Sequence, residues 1–144
     1  MKSWRNLGGG DRLNLSPARA RGILKELKFR DGFVVAVIRD FKTKDVLMTA
    51  MQNEQAVLKT LTTGLMYYWS RSRQKLWLKG ERSGHYQHVR RVWVDCDGDV
   101  LLYDVAQVGA ACHEGYRSCF YREVKKGKLI TVLKRKFNPR DVYR

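Results

Sequence analysis

Three cysteines are the residues of this chain whose type and spacing most directly suggest chemistry. Cys96, Cys112 and Cys119 lie close together in a chain of 144 residues, and an odd number of thiols cannot all pair within one chain. Three thiolates can hold Zn²⁺ in a tetrahedral site and leave the fourth position for a water molecule, which is the arrangement that activates water. The alternative is that they are buried and act as small apolar groups, and the spacing does not decide between the two. Cysteine usage of this kind favours a reducing compartment.

Alternating carboxylates surround the first of these cysteines. In an extended strand, Asp95, Asp97 and Asp99 would face one side and Cys96 the other. Three carboxylates on one side repel one another unless a cation lies among them, and oxygen ligands suit a hard ion such as Mg²⁺ or Ca²⁺. The same segment, which also contains Gly98, is equally typical of an exposed turn that binds no metal.

Histidine is scarce, with three residues in the whole chain, and His113 directly follows Cys112. As a fourth zinc ligand, His113 would close the metal site into a structural one. Beside the metal it would instead carry a proton, because an imidazole pKa of about 6.5 allows transfer at neutral pH. His85 and His88 lie in a polar segment, where His88 is predicted to be a surface residue.

Cations and aromatic residues alternate over residues 69–91. Arginine and lysine side chains are interleaved there with Trp69, Trp77 and Tyr86. Such a segment can bind phosphates and stack on bases, which suits a nucleotide and RNA equally. The alternative is a solvated hairpin whose aromatic residues belong to the core.

The hydrophobic pattern predicts the elements that position these residues. We expect one α+β domain that is rich in strands and has one or two helices. A long polar connection is predicted over residues 71–88. The predicted helices cover residues 17–28 and 53–62, and the predicted strands cover residues 33–38, 46–50, 65–70, 89–94, 100–108 and 120–124, with a last apolar segment at 129–133.

Charge divides the chain into three parts. The net charge is +15, of which residues 1–30 carry +6, residues 31–122 carry +3 and residues 123–144 carry +6. We therefore predict a basic N-terminal extension with a short helix, a central domain and a basic C-terminal extension. The basic ends favour contact with nucleic acid, and a transit peptide at the N-terminus is the less favoured alternative. No run of 18 apolar residues is present, so no membrane partner is predicted.

Several motifs together resemble one known family. SRSRQKLWLKGERSGH at residues 70–85, DCDGD at 95–99 and GAACHEGYRSCF at 109–120 occur in the order and spacing of phosphoribosyl-AMP cyclohydrolases. Residues 46–53 also match, and the resemblance covers roughly residues 31–122. It implies a cytoplasmic hydrolase of the third step of histidine biosynthesis. In that reaction a zinc-activated water opens the adenine ring of N1-(5-phosphoribosyl)-AMP between N1 and C6.

The resemblance also implies site residues and partners. The zinc ligands would be Cys96, Cys112 and Cys119, with the zinc site shared across the interface of an intertwined homodimer. His113 would be the catalytic proton carrier. The magnesium ligands would be Asp95, Asp97 and Asp99. The segment between residues 70 and 85 would bind the substrate, and we predict contacts from Ser70, Arg71, Ser72, Arg73, Lys75, Trp77, Lys79 and His85.

Two rival functions remain open from the sequence. The first is a cyclohydrolase-like fold that serves as a basic RNA-binding or assembly protein, with the charged ends as arms. The second is a structural zinc protein without catalysis.

Overall fold

The computed structural model of the chain describes residues 12–143, so the part of the predicted N-terminal extension before residue 12 lies outside the described residues. Strands dominate the described part, and the two full helices come early in the chain. The elements in chain order are α1 (Pro17–Lys25), β1 (Val34–Asp40), β2 (Val46–Gln52), α2 (Glu54–Thr63), β3 (Tyr67–Ser70), β4 (Lys75–Leu78), β5 (Gln87–Val94), β6 (Val100–Gln107), β7 (Arg122–Lys125), β8 (Lys128–Thr131) and the short α3 (Pro139–Val142).

A four-stranded mixed sheet forms the centre of the fold, with the strand order β2-β1-β6-β5. β1 pairs antiparallel with β2 and parallel with β6, while β5 and β6 form an antiparallel pair. β3 pairs with β4 and β7 pairs with β8 as two separate antiparallel hairpins. The turn between β5 and β6 contains the DCDGD motif, so this motif lies at one end of the central sheet.

Both full helices begin after a capping residue whose side chain accepts a hydrogen bond from a backbone N–H in the first turn. Ser16 caps α1 by accepting from the N–H of Arg19, and Asn53 caps α2 by accepting from the N–H of Ala56. α2 ends at Gly64, which has a φ of 75°. A Cβ there would lie 2.3 Å from the carbonyl oxygen of Leu13, so only glycine fits this ending.

The core forms between the sheet and these helices. Its largest fully buried side chains include Tyr68, Tyr103, Ile38 and Leu47. One carboxylate is also buried: Asp104 on β6 accepts from Arg39 Nε at 2.7 Å and from Lys44 Nζ at 2.7 Å. Burial by itself raises the pKa of this carboxyl, but the hydrogen bonds from the two cations outweigh burial and lower the pKa overall.

The architecture confirms the predicted α+β class: one strand-rich domain with two full helices and a four-residue third one. The predicted polar connection over residues 71–88 is partly wrong, because Lys75–Leu78 forms β4 and β5 begins at Gln87. Its three consecutive apolar residues, Leu76, Trp77 and Leu78, lie between charged residues, and these charges conceal the strand in the sequence pattern. Within residues 12–143, no helix is long and apolar enough to cross a membrane.

The β7–β8 hairpin differs from the rest of the sheet structure because all of its residues are exposed. Val124 is 73% exposed and Leu129 is 60% exposed. These two residues are cross-strand partners, so they lie on the same face of the hairpin. The hairpin therefore has an apolar face that the other residues of the range 12–143 leave exposed.

Candidate functional site

The second and third cysteines lie in an irregular segment between β6 and β7, which we call the cysteine loop (residues 110–119). Backbone hydrogen bonds fix this loop against β2: the N–H of Cys119 donates to the carbonyl of Leu47 at 2.7 Å, and Ser118 Oγ donates to the carbonyl of Val46 at 2.8 Å. Within the loop, the N–H of Cys112 donates to the carbonyl of Tyr116 at 3.1 Å. The loop is therefore held at several points, although it has no regular secondary structure.

Two thiols lie side by side in the cysteine loop. Cys112 is buried, whereas Cys119 is exposed. Loss of solvent around its sulfur and the adjacent Cys112 thiol both raise the pKa of Cys119, while the ammonium group of Lys79 acts in the opposite direction. Two thiols on one short segment, next to a cation, are side chains of the kind that can contribute to a thiolate metal site.

The segment between β5 and β6, which we call the acidic loop (residues 95–99), brings its three carboxylates together. One oxygen from each of Asp95, Asp97 and Asp99 lies within 4.8 Å of the others. The segment is a turn rather than the extended strand of the sequence argument, because Asp95 Oδ1 accepts from the N–H groups of Asp99 and Val100. The segment is therefore a turn and also brings three potential metal ligands together, so the two alternatives from the sequence do not exclude each other.

An arginine that the sequence argument missed faces the acidic loop. Arg30 Nε donates to Asp99 Oδ2 at 2.7 Å, and this hydrogen bond lowers the pKa of the Asp99 carboxyl. Arg30 lies 69 residues earlier in the chain, so no local pattern pairs the two. The segment after α1 also binds the loop directly, since the N–H of Lys28 donates to the carbonyl of Gly98 at 2.7 Å.

The structure does not bring all three cysteines together within one chain. Among residues 12–143, the three carboxylates of the acidic loop are the one group of at least three potential metal ligands within 4.8 Å of one another. Cys96 is exposed on the acidic loop, apart from the Cys112–Cys119 pair. The predicted zinc ligands are therefore divided between two regions of the surface.

A cavity of about 660 Å³ opens beside the cysteine loop, which is within the usual size range of small-molecule sites. Cys119 and His113 line it from the cysteine loop. His113 is exposed there, and its Nε2 lies 3.3 Å from Glu114 Oε1. The β3–β4 hairpin and Lys79, which follows it, supply further polar residues. Six of the predicted substrate contacts line the cavity: Ser70, Ser72, Arg73, Lys75, Trp77 and Lys79.

The two remaining predicted substrate contacts do not line this cavity. Arg71 is exposed in the β3–β4 turn, and its carbonyl accepts from Gln74 Nε2. His85 lies behind the cysteine loop, packed so closely against Gly109 that a Cβ on that glycine would lie 2.5 Å from the imidazole ring. Burial and the nearby Lys79 lower the pKa of His85.

The C-terminal tail, defined here as residues 132–143, contributes residues that the sequence argument did not select. Pro139 and Tyr143 line the cavity. Arg135 Nε donates to the carbonyl of Glu114 at 2.9 Å, and the ring of Phe137 packs edge-on against His85 with centroids 5.0 Å apart. A Cβ on Gly115 would lie 2.3 Å from the carbonyl oxygen of Phe137, so the tail and the cysteine loop are in close contact.

A cavity of this size, lined by cations, a thiol and an imidazole, is typical of an enzyme that acts on a small anionic molecule. The family model for phosphoribosyl-AMP cyclohydrolase matches residues 48–121. The chain is 50% identical over 120 residues to the phosphoribosyl-AMP cyclohydrolase of Methanosarcina acetivorans, covering 83% of this chain and 98% of the relative. A relative of the same name from Prosthecochloris aestuarii is 50% identical over 125 residues, covering 85% and 91%.

A further relative is a longer protein. The histidine biosynthesis bifunctional protein of Thermoanaerobacter pseudethanolicus is 49% identical over 122 residues, which cover 84% of this chain and 56% of that protein. The chain belongs to the phosphoribosyl-AMP cyclohydrolase family of hydrolases, and the resemblance inferred from the sequence motifs is confirmed.

Proposed function

We propose that the chain hydrolyses N1-(5-phosphoribosyl)-AMP in histidine biosynthesis by opening the adenine ring between N1 and C6. The cavity is the observation that carries this proposal. Cations from the β3–β4 hairpin line it together with a thiol and an imidazole from the cysteine loop. A substrate with phosphate groups and a base to be attacked by water needs both kinds of side chain in one pocket.

The chain's own residues have distinct roles in this proposal. Arg73 and Lys75 are exposed on the cavity side of the β3–β4 hairpin and bind phosphate through charge-assisted hydrogen bonds. His113 moves the proton of the attacking water, because its exposed imidazole faces the cavity beside Glu114. Trp77 forms part of the wall against which the base packs.

The donor atoms fit the two metal ions that the resemblance implies. Cys112 and Cys119 offer adjacent sulfur ligands of the kind that Zn²⁺ binds, and Cys96 completes the set. Zinc bound there would supply a Lewis acid that makes water nucleophilic at neutral pH. Oxygen atoms from Asp95, Asp97 and Asp99 within 4.8 Å of one another suit Mg²⁺.

We further propose that a second copy of the chain completes the zinc site in a homodimer. Exposed apolar residues flank both parts of the divided cysteine set: Trp93 and Val94 precede Cys96, and Phe120 and the β7–β8 hairpin follow Cys119. A two-stranded hairpin with no covered face is only marginally stable in water. Packing the hairpin of one copy against the end of β5 of the other would cover both apolar surfaces and join the ligands.

Leu129→Asp tests this dimer, because it places a charge on the exposed apolar face of the hairpin. We expect a monomer in sedimentation analysis and a loss of bound zinc. Lys126→Asp, in the turn of the same hairpin, is the matched control and keeps the dimer. A Leu129→Asp protein that remains a dimer and holds its zinc contradicts the proposed interface.

RNA binding through the basic termini is a second proposal with one supporting observation. Lys125, Lys126 and Lys128 are all exposed at the β7–β8 turn, where they form a cluster of positive charge. Phosphate contacts of this kind make affinity fall steeply with salt. The test replaces all three lysines by glutamine and measures the affinity for a single-stranded RNA. An unchanged affinity would rule out this role for the hairpin.

The decisive experiment for the enzyme is a turnover assay on phosphoribosyl-AMP followed by absorbance. We expect activity that a chelator removes and that added zinc and magnesium together restore. A pure protein, loaded with both metals, that leaves phosphoribosyl-AMP unchanged would overturn the proposed function. We place this reaction in the cytoplasm, because three free thiols suit a reducing compartment.

A further inference from the structure

Lys79 differs from the other cations of the cavity because its side chain is buried. The residue is 7% exposed, and its Nζ donates to the carbonyl oxygen of Ala111 at 2.5 Å. Ala111 is the residue immediately before Cys112 in the cysteine loop. Lys75, on the same hairpin and lining the same cavity, is exposed.

The backbone around Lys79 fixes the direction of its side chain. Lys79 follows β4, and its N–H donates to the carbonyl of Met66 at 3.0 Å. The next residue, Gly80, has a φ of 95°, and a Cβ there would lie 2.6 Å from the backbone nitrogen of Tyr86. This tight turn fixes the backbone of Lys79, so the ammonium group is held toward the cysteine loop.

The charge of Lys79 also acts on both thiols. Its ammonium group is close enough to Cys112 and Cys119 for each to oppose the effect of burial on the Lys79 pKa. The buried cation therefore lies beside both sulfur atoms. A charge-assisted hydrogen bond to the Ala111 carbonyl fixes the backbone that carries the first of them.

We propose that Lys79 is a positioning residue that holds the cysteine loop in its metal-binding arrangement, rather than a phosphate ligand. This inference rests on the proposed zinc site. Groups that orient metal ligands from outside the coordination shell typically contribute about 10–100-fold to metal affinity. Substrate affinity, by contrast, depends on the exposed cations of the cavity.

Zinc affinity and steady-state kinetics together separate the two roles. For Lys79→Met, measured by competition with a chromophoric chelator, we expect zinc affinity to fall about 10–100-fold. At saturating zinc, we expect the KM for phosphoribosyl-AMP to stay within about threefold of the unmodified protein. The matched variant Lys75→Met should show the reverse, with unchanged zinc affinity and a raised KM.

Circular dichroism would show whether Lys79→Met folds. If it does not fold, two further variants, Lys79→Arg and Lys79→Gln, test the same proposal. Arginine keeps the charge and the donors, so zinc affinity should stay close to that of the unmodified protein. Glutamine keeps a donor but loses the charge, so zinc affinity should fall. If both variants bind zinc like the unmodified protein, or if Lys79→Met raises KM without changing zinc affinity, the proposal is wrong.

These outcomes are distinct from a failure of the proposed function. An unmodified protein that binds zinc but does not turn over phosphoribosyl-AMP refutes the proposed reaction, and the zinc measurements on Lys79 variants still decide the role of Lys79. An unmodified protein that binds no zinc at its thiols overturns the Lys79 proposal together with the zinc site. Normal turnover with zinc affinity unaffected by Lys79→Met refutes the Lys79 proposal alone.

Discussion

The acidic loop and the cysteine loop both offer metal ligands, but the fold holds them in different ways. The acidic loop is a five-residue turn with exposed carboxylates at Asp95 and Asp97 and a half-buried one at Asp99. Its contacts from outside the loop are the Arg30–Asp99 ion pair and the hydrogen bond from the Lys28 N–H to the Gly98 carbonyl. The cysteine loop is irregular and depends on β2, on Lys79 and on the C-terminal tail for its position. A short turn brings three ligands together mainly through its own hydrogen bonds, whereas ten irregular residues need more contacts from across the chain.

This difference predicts that changes in the cysteine loop have larger effects than changes in the acidic loop. Cys112→Ser is the change for which we expect the largest loss of activity. A serine hydroxyl is a poor zinc ligand, and loss of metal activation removes several kcal/mol of stabilisation. We expect kcat to fall about a thousandfold, with bound zinc lost in elemental analysis. Full zinc content and normal turnover in the folded variant would refute the metal role of this loop.

Asp97→Asn tests the acidic loop with a nearly isosteric change. A unit charge attracts a divalent ion by about 2 kcal/mol at 4 Å in water, so magnesium affinity should fall about thirtyfold. We expect excess magnesium to restore turnover, because the remaining carboxylates and the turn stay in place. The zinc content should be unchanged. If activity is lost and magnesium does not restore it, the two loops are not independent.

Arg135→Ala tests whether the tail supports the cysteine loop. It removes the hydrogen bond to the carbonyl of Glu114 and the ion pair with its carboxylate, at a cost of about 1 kcal/mol. We expect kcat to fall roughly fivefold as the loop populates other arrangements. The exposed neighbour Lys134→Ala is the control and should leave kcat unchanged. Equal activity of the two variants would show that the tail does not support the loop.

Arg30→Gln should have the smallest effect, because its pair with Asp99 is exposed. Arg30 lowers the pKa of the Asp99 carboxyl, so the pair stabilises the fold above the ordinary carboxyl pKa. That contribution is lost as the pH falls through the lowered pKa, in the range below about pH 4. In a carbon-13 NMR titration of Asp99, we expect Arg30→Gln to raise its pKa. Lys28→Gln should not change it, and identical titrations in all three proteins would contradict the ion pair.

Local signals were sufficient to predict much of the fold from the sequence. Asn53 and Gly64 bracket α2, and the β-branched apolar runs of β1 and β2 are typical of buried strands. The same approach failed at β4, where three apolar residues between charged ones form a strand that pairs with β3. Strand pairing depends on two segments, so the local pattern of residues 75–78 did not by itself predict β4.

Parts of the site also escaped prediction because they depend on contacts between distant residues. Composition described the C-terminal segment as a basic extension, yet Pro139 and Tyr143 line the cavity and Arg135 binds the cysteine loop. Similarly, sequence spacing placed the three cysteines close together, but the fold separates Cys96 from the other two within one chain. Motif order predicts which residues act, but the tertiary structure decides which of them meet.

The position of Tyr143 at the wall of the cavity has a practical consequence for anyone who handles the protein. A purification tag, a fluorescent label or a surface tether joined to the chain beside Tyr143 would begin at the wall of the cavity. It would compete with the substrate for that space and would pull on the contacts that Arg135 and Phe137 make.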